Sequence, residues 1–211
     1  MNKNATLCLI CLIFLGGIPG TIQAQTAVQN WNRQEYQTTD HSNFRKNKRF
    51  EQKINADAVD YALLNACIFF LTNEQRVKEN KSVLSYAAPL EVAAWHHARR
   101  MAEEDFFGHE DPKSSQRKTT DKRARLAGIS NPYIAENVAG RSFLSNVTYL
   151  ALAEGFMEQW MNSPGHRSNI LSDKALQLGS GAFTNGKYWY ATQCYQWFKP
   201  IVPGEAMDTL P

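Results

Sequence analysis

The strongest constraint on the fold is a change of periodicity along the chain: long stretches with apolar residues at helical spacing give way, near the end, to strand-like runs closed by a tight turn. From Asp57 to about Asn80, Val59, Ala62, Leu63, Ala66, Cys67, Phe70 and Leu71 recur every three or four residues. Leu64, Ile68 and Phe69 widen that stripe and predict a deeply packed helix. A second helix is expected from Pro89, whose ring suits a first turn, to about Glu104, with Leu90, Ala93, Ala94, His97, Ala98 and Met101 inward. Shorter helices are expected from about Thr119 to Ala127, stopped by Gly128, and from about Asn146 to Met161, interrupted by Pro164 and Gly165. Leu176 to Phe183 and Tyr188 to Phe198 are rich in aromatic and small residues and read as strands. Between them, Asn185-Gly186 supplies the positive φ angles of a tight hairpin. Helices first and an antiparallel hairpin last indicate an α+β fold.

The chain ends carry different signals. Lys3, the apolar run Ala5 to Leu15, the breakers Gly16, Gly17, Pro19 and Gly20, and Ile22-Gln23-Ala24 have the grammar of a secretory signal over residues 1–24. The apolar run is too short for a comfortable membrane span, although a retained anchor is the other reading. The mature chain is therefore expected outside the cell or in a periplasm, as a monomer without a transmembrane segment. Residues 25–55 are polar and charged, with Arg45, Lys46, Lys48 and Arg49 clustered, and are expected to form a poorly ordered arm. Residues from Lys199 onward, with Pro200, Pro203 and Pro211, are expected to be a tail, which leaves residues 56–198 as the folded domain. The formal net charge is +3, and loss of Lys3 with the signal lowers it by one. That balance argues against nucleic acid as a partner. Cys8 and Cys11 leave with the signal. Cys67 and Cys194 remain, either as a disulfide of an exported protein or as two buried thiols.

Three polar spots stand in apolar or turn-rich surroundings. Phe106-Phe107-Gly108-His109 follows the second helix, Ile134-Ala135-Glu136-Asn137-Val138-Ala139-Gly140 places a carboxylate and an amide among small residues, and Ser163-Pro164-Gly165-His166-Arg167 follows the helix of Trp160. Each has an ordinary structural explanation. His109 can cap a helix C-terminus, Glu136 can pair with Arg125 or Arg167, and His166 can bond a backbone carbonyl. Two histidines and a carboxylate are also suitable zinc ligands, but this spacing is much looser than that of a compact helical metal motif. His97 lies on the inward stripe of its helix and reads as a core residue.

Taken in order, Phe-Phe-Gly-His109, Glu136-Asn137 and Trp160-Met-Asn-Ser-Pro-Gly-His166-Arg resemble the bacterial branch of the CAP superfamily (cysteine-rich secretory protein, antigen 5, pathogenesis-related 1). Asn73-Glu74-Gln75-Arg76, His97 with Met101, Leu178-Gly179-Ser180-Gly181 and Tyr188-Trp189 extend the resemblance over about Ala58 to Phe198. The resemblance implies a three-layer α-β-α sandwich with a small antiparallel sheet. It also implies a cleft lined by two histidines and two acids, which in some members binds a divalent metal such as zinc. His109, Glu136 and His166 match three of those positions, and Asn137 and Ser163 are expected to line the same cleft. The second acid of the family stands three residues after the helix tryptophan, where this chain has Ser163, so any Zn2+ site should be weakened.

Two function classes follow from the resemblance. One is a secreted binding or interaction module whose partner is a small ligand, a lipid or a cell surface. The other is a metal-dependent peptide or ester hydrolase in which Glu136 acts as general base. No serine or cysteine nucleophile is assigned, because Ser163 and His166 share a Pro-Gly turn with no orienting acid. A purely structural cluster that holds loops together is the third reading.

Overall fold

The computed structural model describes residues 30–210. The export signal expected over residues 1–24, and the first residues of the expected arm, lie outside the described residues. Helix α1 spans Tyr61–Lys78 and starts where the Asp60 carboxylate accepts the Leu63 amide. Helix α2 spans Ala88–Glu103 with Pro89 in its first turn. Helix α3 (Thr120–Leu126) and helix α4 (Tyr149–Met161) are capped by the hydroxyls of Thr119 and Thr148. Pro164 does more than end α4: it opens a further short helix, α5 (Pro164–Ile170).

The strands are β1 (Ser85–Tyr86), β2 (Ala127–Ile129), β3 (Ile134–Ser142), β4 (Ala175–Thr184), β5 (Tyr188–Trp197) and β6 (Pro203–Ala206). The main sheet has the order β1-β4-β5-β3. Its three long strands are antiparallel, and the two residues of β1 pair with β4 in parallel, so the sheet is mixed at that edge. The expected hairpin joins β4 to β5 through Gly186, whose φ is +82°, and the Asn185 side chain accepts the Lys187 and Tyr188 amides.

Alternation along β5 assigns the faces. Trp189, Ala191 and Tyr195 pack against α1 and α4, whereas Tyr190 and Cys194 turn to the α2 side. Helix α2 lies unusually close to β4. A Cβ at Gly179 would sit 2.0 Å from the Glu91 amide nitrogen, and one at Gly181 would sit 2.1 Å from that of Trp95. The helices thus sandwich the sheet, as the α+β reading anticipates.

Two expectations are corrected. The segment expected as a poorly ordered arm is part of the core from residue 30 onward: Trp31, Phe44 and Phe50 are buried and ring-packed around Phe70 of α1. Short 3-10 turns hold it, and Arg45 bonds Glu74 of α1 and Glu154 of α4, each at 2.7 Å. The expected tail also folds back: β6 pairs with β2, and Asp208 accepts two bonds from Arg117 at 2.6 and 2.7 Å. Of the two readings for the cysteines, the structure has the second. Cys67 and Cys194 are free and buried, and they lie in hydrophobic clusters on opposite faces of the sheet, which separates their sulfurs.

Candidate functional site

The polar cluster forms at β3, the edge strand of the main sheet, because successive side chains of a strand point to opposite faces. Glu136 points to the α2 side, directly across from Cys194 of β5. Asn137 points to the α1 and α4 side. The loop after α2 brings His109 to the first of these faces. Gly108 has a φ of +152°, which places its carbonyl 2.8 Å from His97 Nε2. The next residue, His109, donates from Nδ1 to Glu136 Oε1 at 3.0 Å.

The other oxygen of Glu136 is also occupied. Arg123 of α3, buried to 2% exposure, donates from Nη2 to Glu136 Oε2 at 2.7 Å. The same guanidinium binds the carbonyls of His109 at 3.0 Å and Arg117 at 2.9 Å, so it fastens the His109 loop to the carboxylate. Burial alone would raise the pKa of Glu136, but the His109 hydrogen bond and the Arg123 charge outweigh it and hold the group below the ordinary carboxylate value. The hydrogen bond to Glu136 in turn raises the pKa of His109. His97 behaves oppositely: burial pushes its pKa down to about 4, so it is neutral, and its 3.9 Å approach to Glu136 is not an ion pair.

His166 arrives from the other side of the edge strand, on α5. Its carbonyl accepts Asn137 Nδ2 at 3.1 Å. Asn169 donates to Asn137 Oδ1 at 2.9 Å and to the Glu136 carbonyl at 3.2 Å. Asn137 also bonds Gln193 at 3.0 Å, and Gln193 reaches Thr72 of α1 at 2.7 Å. Asn137 is therefore a buried anchor for α5 and does not line the cleft. The His166 ring is half-buried, and its Nδ1 has no hydrogen-bond partner among the described residues. Burial, and then the nearby His109 charge, lower its pKa, so of the two rings His109 takes up a proton first. Ser163 is the N-cap residue of α5, yet its side chain makes no capping bond.

Glu136 thus meets Arg123, whereas Arg125 bonds the Ser130 carbonyl and Arg167 pairs with Glu79. Arg123 is the functional residue that the sequence reading missed. Its signal is faint: three cations occur between Lys122 and Arg125, and periodicity does not say which one faces inward. Among the described residues, no group of three His, Cys, Asp or Glu side chains is arranged to hold a metal ion.

The sequence profile of the cysteine-rich secretory protein (CAP) family matches residues 69–196, more than half of the chain. The chain belongs to the CAP family. That family is one of secreted proteins, and this CAP domain is accordingly extracellular. Among the described residues no helix is long and apolar enough to cross a membrane. Two curated relatives from Bacillus subtilis are each 29% identical: the uncharacterized protein YkwD over 119 residues and the uncharacterized membrane protein YlbC over 130. These matches cover 56% and 62% of this chain but 42% and 34% of the relatives, so the chain spans less than half the length of the curated proteins it matches. Among solved structures, an extracellular SCP-domain protein of Bacillus anthracis aligns with a TM-score of 0.52 at 23% identity, covering 69% of this chain and 44% of its own. An outer surface protein of Borrelia burgdorferi aligns at 0.53 and 16% identity, covering 70% and 98%. The CAP domain of enterococcal PrgA aligns at 0.52 and 14%, covering 85% of both chains. At these identities the structures establish the fold alone.

Proposed function

We propose that this CAP domain is a binding or interaction module whose cleft lies at the β3 edge, between the imidazoles of His109 and His166. The observation that carries this reading is the use of Glu136. Its side chain is only 2% exposed, with one oxygen paired to the buried Arg123 guanidinium and the other accepting from His109, so neither oxygen faces solvent. A general base needs an oxygen turned to a water or substrate proton. Glu136 instead neutralises a buried guanidinium and orients a ring. What reaches solvent is His109, with 54% of its side chain exposed and Nε2 left for a partner.

That donor set suits a small polar ligand, a donor from a cell-surface partner or a divalent metal. Neutral imidazoles are ordinary zinc ligands, and a carboxylate behind one of them is the usual support. His109 and His166 would hold such an ion while Glu136 oriented His109, and water or a partner would complete the coordination. Bound zinc would act as a Lewis acid toward whatever occupied the remaining position. Ser163 brings no charge, so the affinity should be weak.

Calorimetric zinc titration of the wild type, His109→Ala and His166→Ala tests the metal arm. Heat that disappears in both variants supports it, and unchanged heat removes it. Because His109 must lose its proton to bind metal, the affinity should fall as pH is lowered. A screen of peptide and ester substrates tests the module itself. Turnover that is lost on Glu136→Gln at a temperature where that variant is still folded would overturn the binding reading in favour of a hydrolase.

A further inference from the structure

The two edges of the main sheet differ. At one stands β1, two residues long, and at the other stands β3, nine residues long. A long, regular edge strand presents a row of backbone donors and acceptors, and proteins ordinarily blunt it with proline, lysine or a bulge. Strand β3 has none of these: Ile134–Ser142 contains no proline or lysine, and its pairing with β5 runs without a shift of register. Three bonds fix the direction of its peptide groups. The Tyr133 carbonyl accepts the Trp197 amide and the Phe143 amide donates to the Lys187 carbonyl, so the odd-numbered residues face β5. The Glu136 carbonyl turns the other way, to Asn169. Antiparallel ladders alternate, so the N–H and C=O groups of Val138, Gly140 and Ser142 also point away from the sheet. Among the described residues none of these groups has a hydrogen-bond partner. Asn169 of α5 closes the edge at Glu136; beyond it exposure rises from the buried Val138 to the exposed Ser142.

The edge itself selects the occupant. Donors and acceptors alternate along one line with a repeat of about 6.8 Å, a pattern that a second extended backbone matches. The flanking side chains then specify its sequence. On the α2 face, Tyr190 stands across from Gly140 and Tyr188 across from Ser142. With Phe107 these rings form a row, each 6.4 Å from the next between centroids. Phe107 is 59% exposed and Tyr188 49%, and Gly140 has no side chain, so the space beside the Phe107 ring is open to a neighbour's. An apolar side chain on an added strand, opposite Gly140, would lie against that row. On the other face the half-buried Arg141 guanidinium rests against Gly155 of α4 and, among the described residues, has no acidic partner. A carboxylate on the added strand would complement its charge. Neighbours on a strand point to opposite faces, so the apolar and acidic preferences fall on adjacent residues. We propose that the free edge of β3, from Val138 to Ser142, docks an extended peptide segment of a partner protein as a fifth strand, with an apolar residue next to an acidic one. The inference rests on the binding-module reading and names its partner, but it uses the β3 backbone rather than the imidazoles.

The test is selection from a displayed library of random octapeptides on the immobilised chain lacking residues 1–24, followed by calorimetry with the enriched peptides in synthetic form. Enriched peptides should carry an apolar residue beside Asp or Glu and should bind saturably. N-methylation of the alternate peptide amides that face β3 should weaken binding about tenfold, and N-methylation of the intervening amides should not. Ser142→Pro removes an edge amide that gives no bond to β5, so it should weaken binding to a similar extent while the melting temperature stays near that of the wild type. Phe107→Ala, at a ring already exposed, tests the aromatic row without touching the backbone and should also weaken binding. Arg141→Gln should weaken an acidic peptide about twofold to fivefold and leave its Asn or Gln counterpart unchanged. His109→Ala should leave peptide binding in place. Absence of enrichment, alongside zinc heat that His109→Ala removes, would sink the edge and leave the histidine cleft standing. Binding insensitive to N-methylation at every position, or indifferent to both Ser142→Pro and Phe107→Ala, overturns the proposal too. Self-association of the chain that Ser142→Pro abolishes would assign the edge to a second copy and equally overturn the peptide reading.

Discussion

Replacing Glu136 by glutamine keeps the shape of the side chain and removes its charge. The carboxylate accepts from His109 Nδ1 on one oxygen and from Arg123 Nη2 on the other. An amide has one oxygen for these two donors, and its NH2 must then face a donor. Arg123 is left as a buried cation without an anion, since its other partners are the carbonyls of the loop. Removing one member of a buried ion pair costs about 3–5 kcal/mol. For a domain of this size that corresponds to a fall in melting temperature of about 6–20 °C. The pair reading also makes a thermodynamic demand: Arg123→Met should cost a comparable amount, and the double variant should cost less than the sum by about 1 kcal/mol or more. A second readout separates electrostatics from general damage. The His109 pKa, followed by NMR titration of its ring protons, is raised by Glu136 in the wild type and should fall toward the ordinary histidine value in Glu136→Gln. The sign of the pH effect follows. His109 contributes stability that is complete below its unfolded pKa of about 6.5 and is lost as pH rises through its higher folded value. A melting temperature lowered by less than about 2 °C, together with an unmoved His109 titration, would refute the argument.

Three further outcomes are expected. The pKa of His97 falls from 6.5 to about 4 on burial, so its neutral form stabilises the fold above pH 6.5 and that contribution is lost as the pH drops toward 4. The interval is worth about 3 kcal/mol, and a melting temperature that stays level over this range would contradict it. Phe44→Ala should cost about 3–5 kcal/mol in denaturant titration, because the ring is wholly buried against Phe50 and Phe70; a near-neutral result would return residues 30–55 to the status of a loose arm. In the chain lacking residues 1–24, Cys67 and Cys194 should resist thiol reagents until denaturant is added and then both react without reductant, whereas alkylation that required reductant would reveal a bridge.

Local chemistry was legible in the sequence. Helical spacing marked α1, α2 and α4, and Asn185-Gly186 marked the β4–β5 hairpin, because periodicity and turn preference act over a few residues. The residues of the polar cluster were legible as well, since His109, Glu136 and His166 stand out against apolar and turn-rich neighbours. Their partners were not. Strand β3 hides its alternation because it buries polar groups on both faces, Glu136 toward Arg123 and Asn137 toward α5. The anchors of the N-terminal segment, Trp31, Phe44 and Phe50, follow no period because 3-10 turns space them irregularly, and only the surface of α1 shows that they belong to the core. Which of Arg123, Arg125 and Arg167 would neutralise Glu136 depended on how α3 docks against β3. In the unfolded chain those three cations are equivalent, and it is the burial of a single guanidinium, decided by contacts distant in sequence, that makes one of them part of the site.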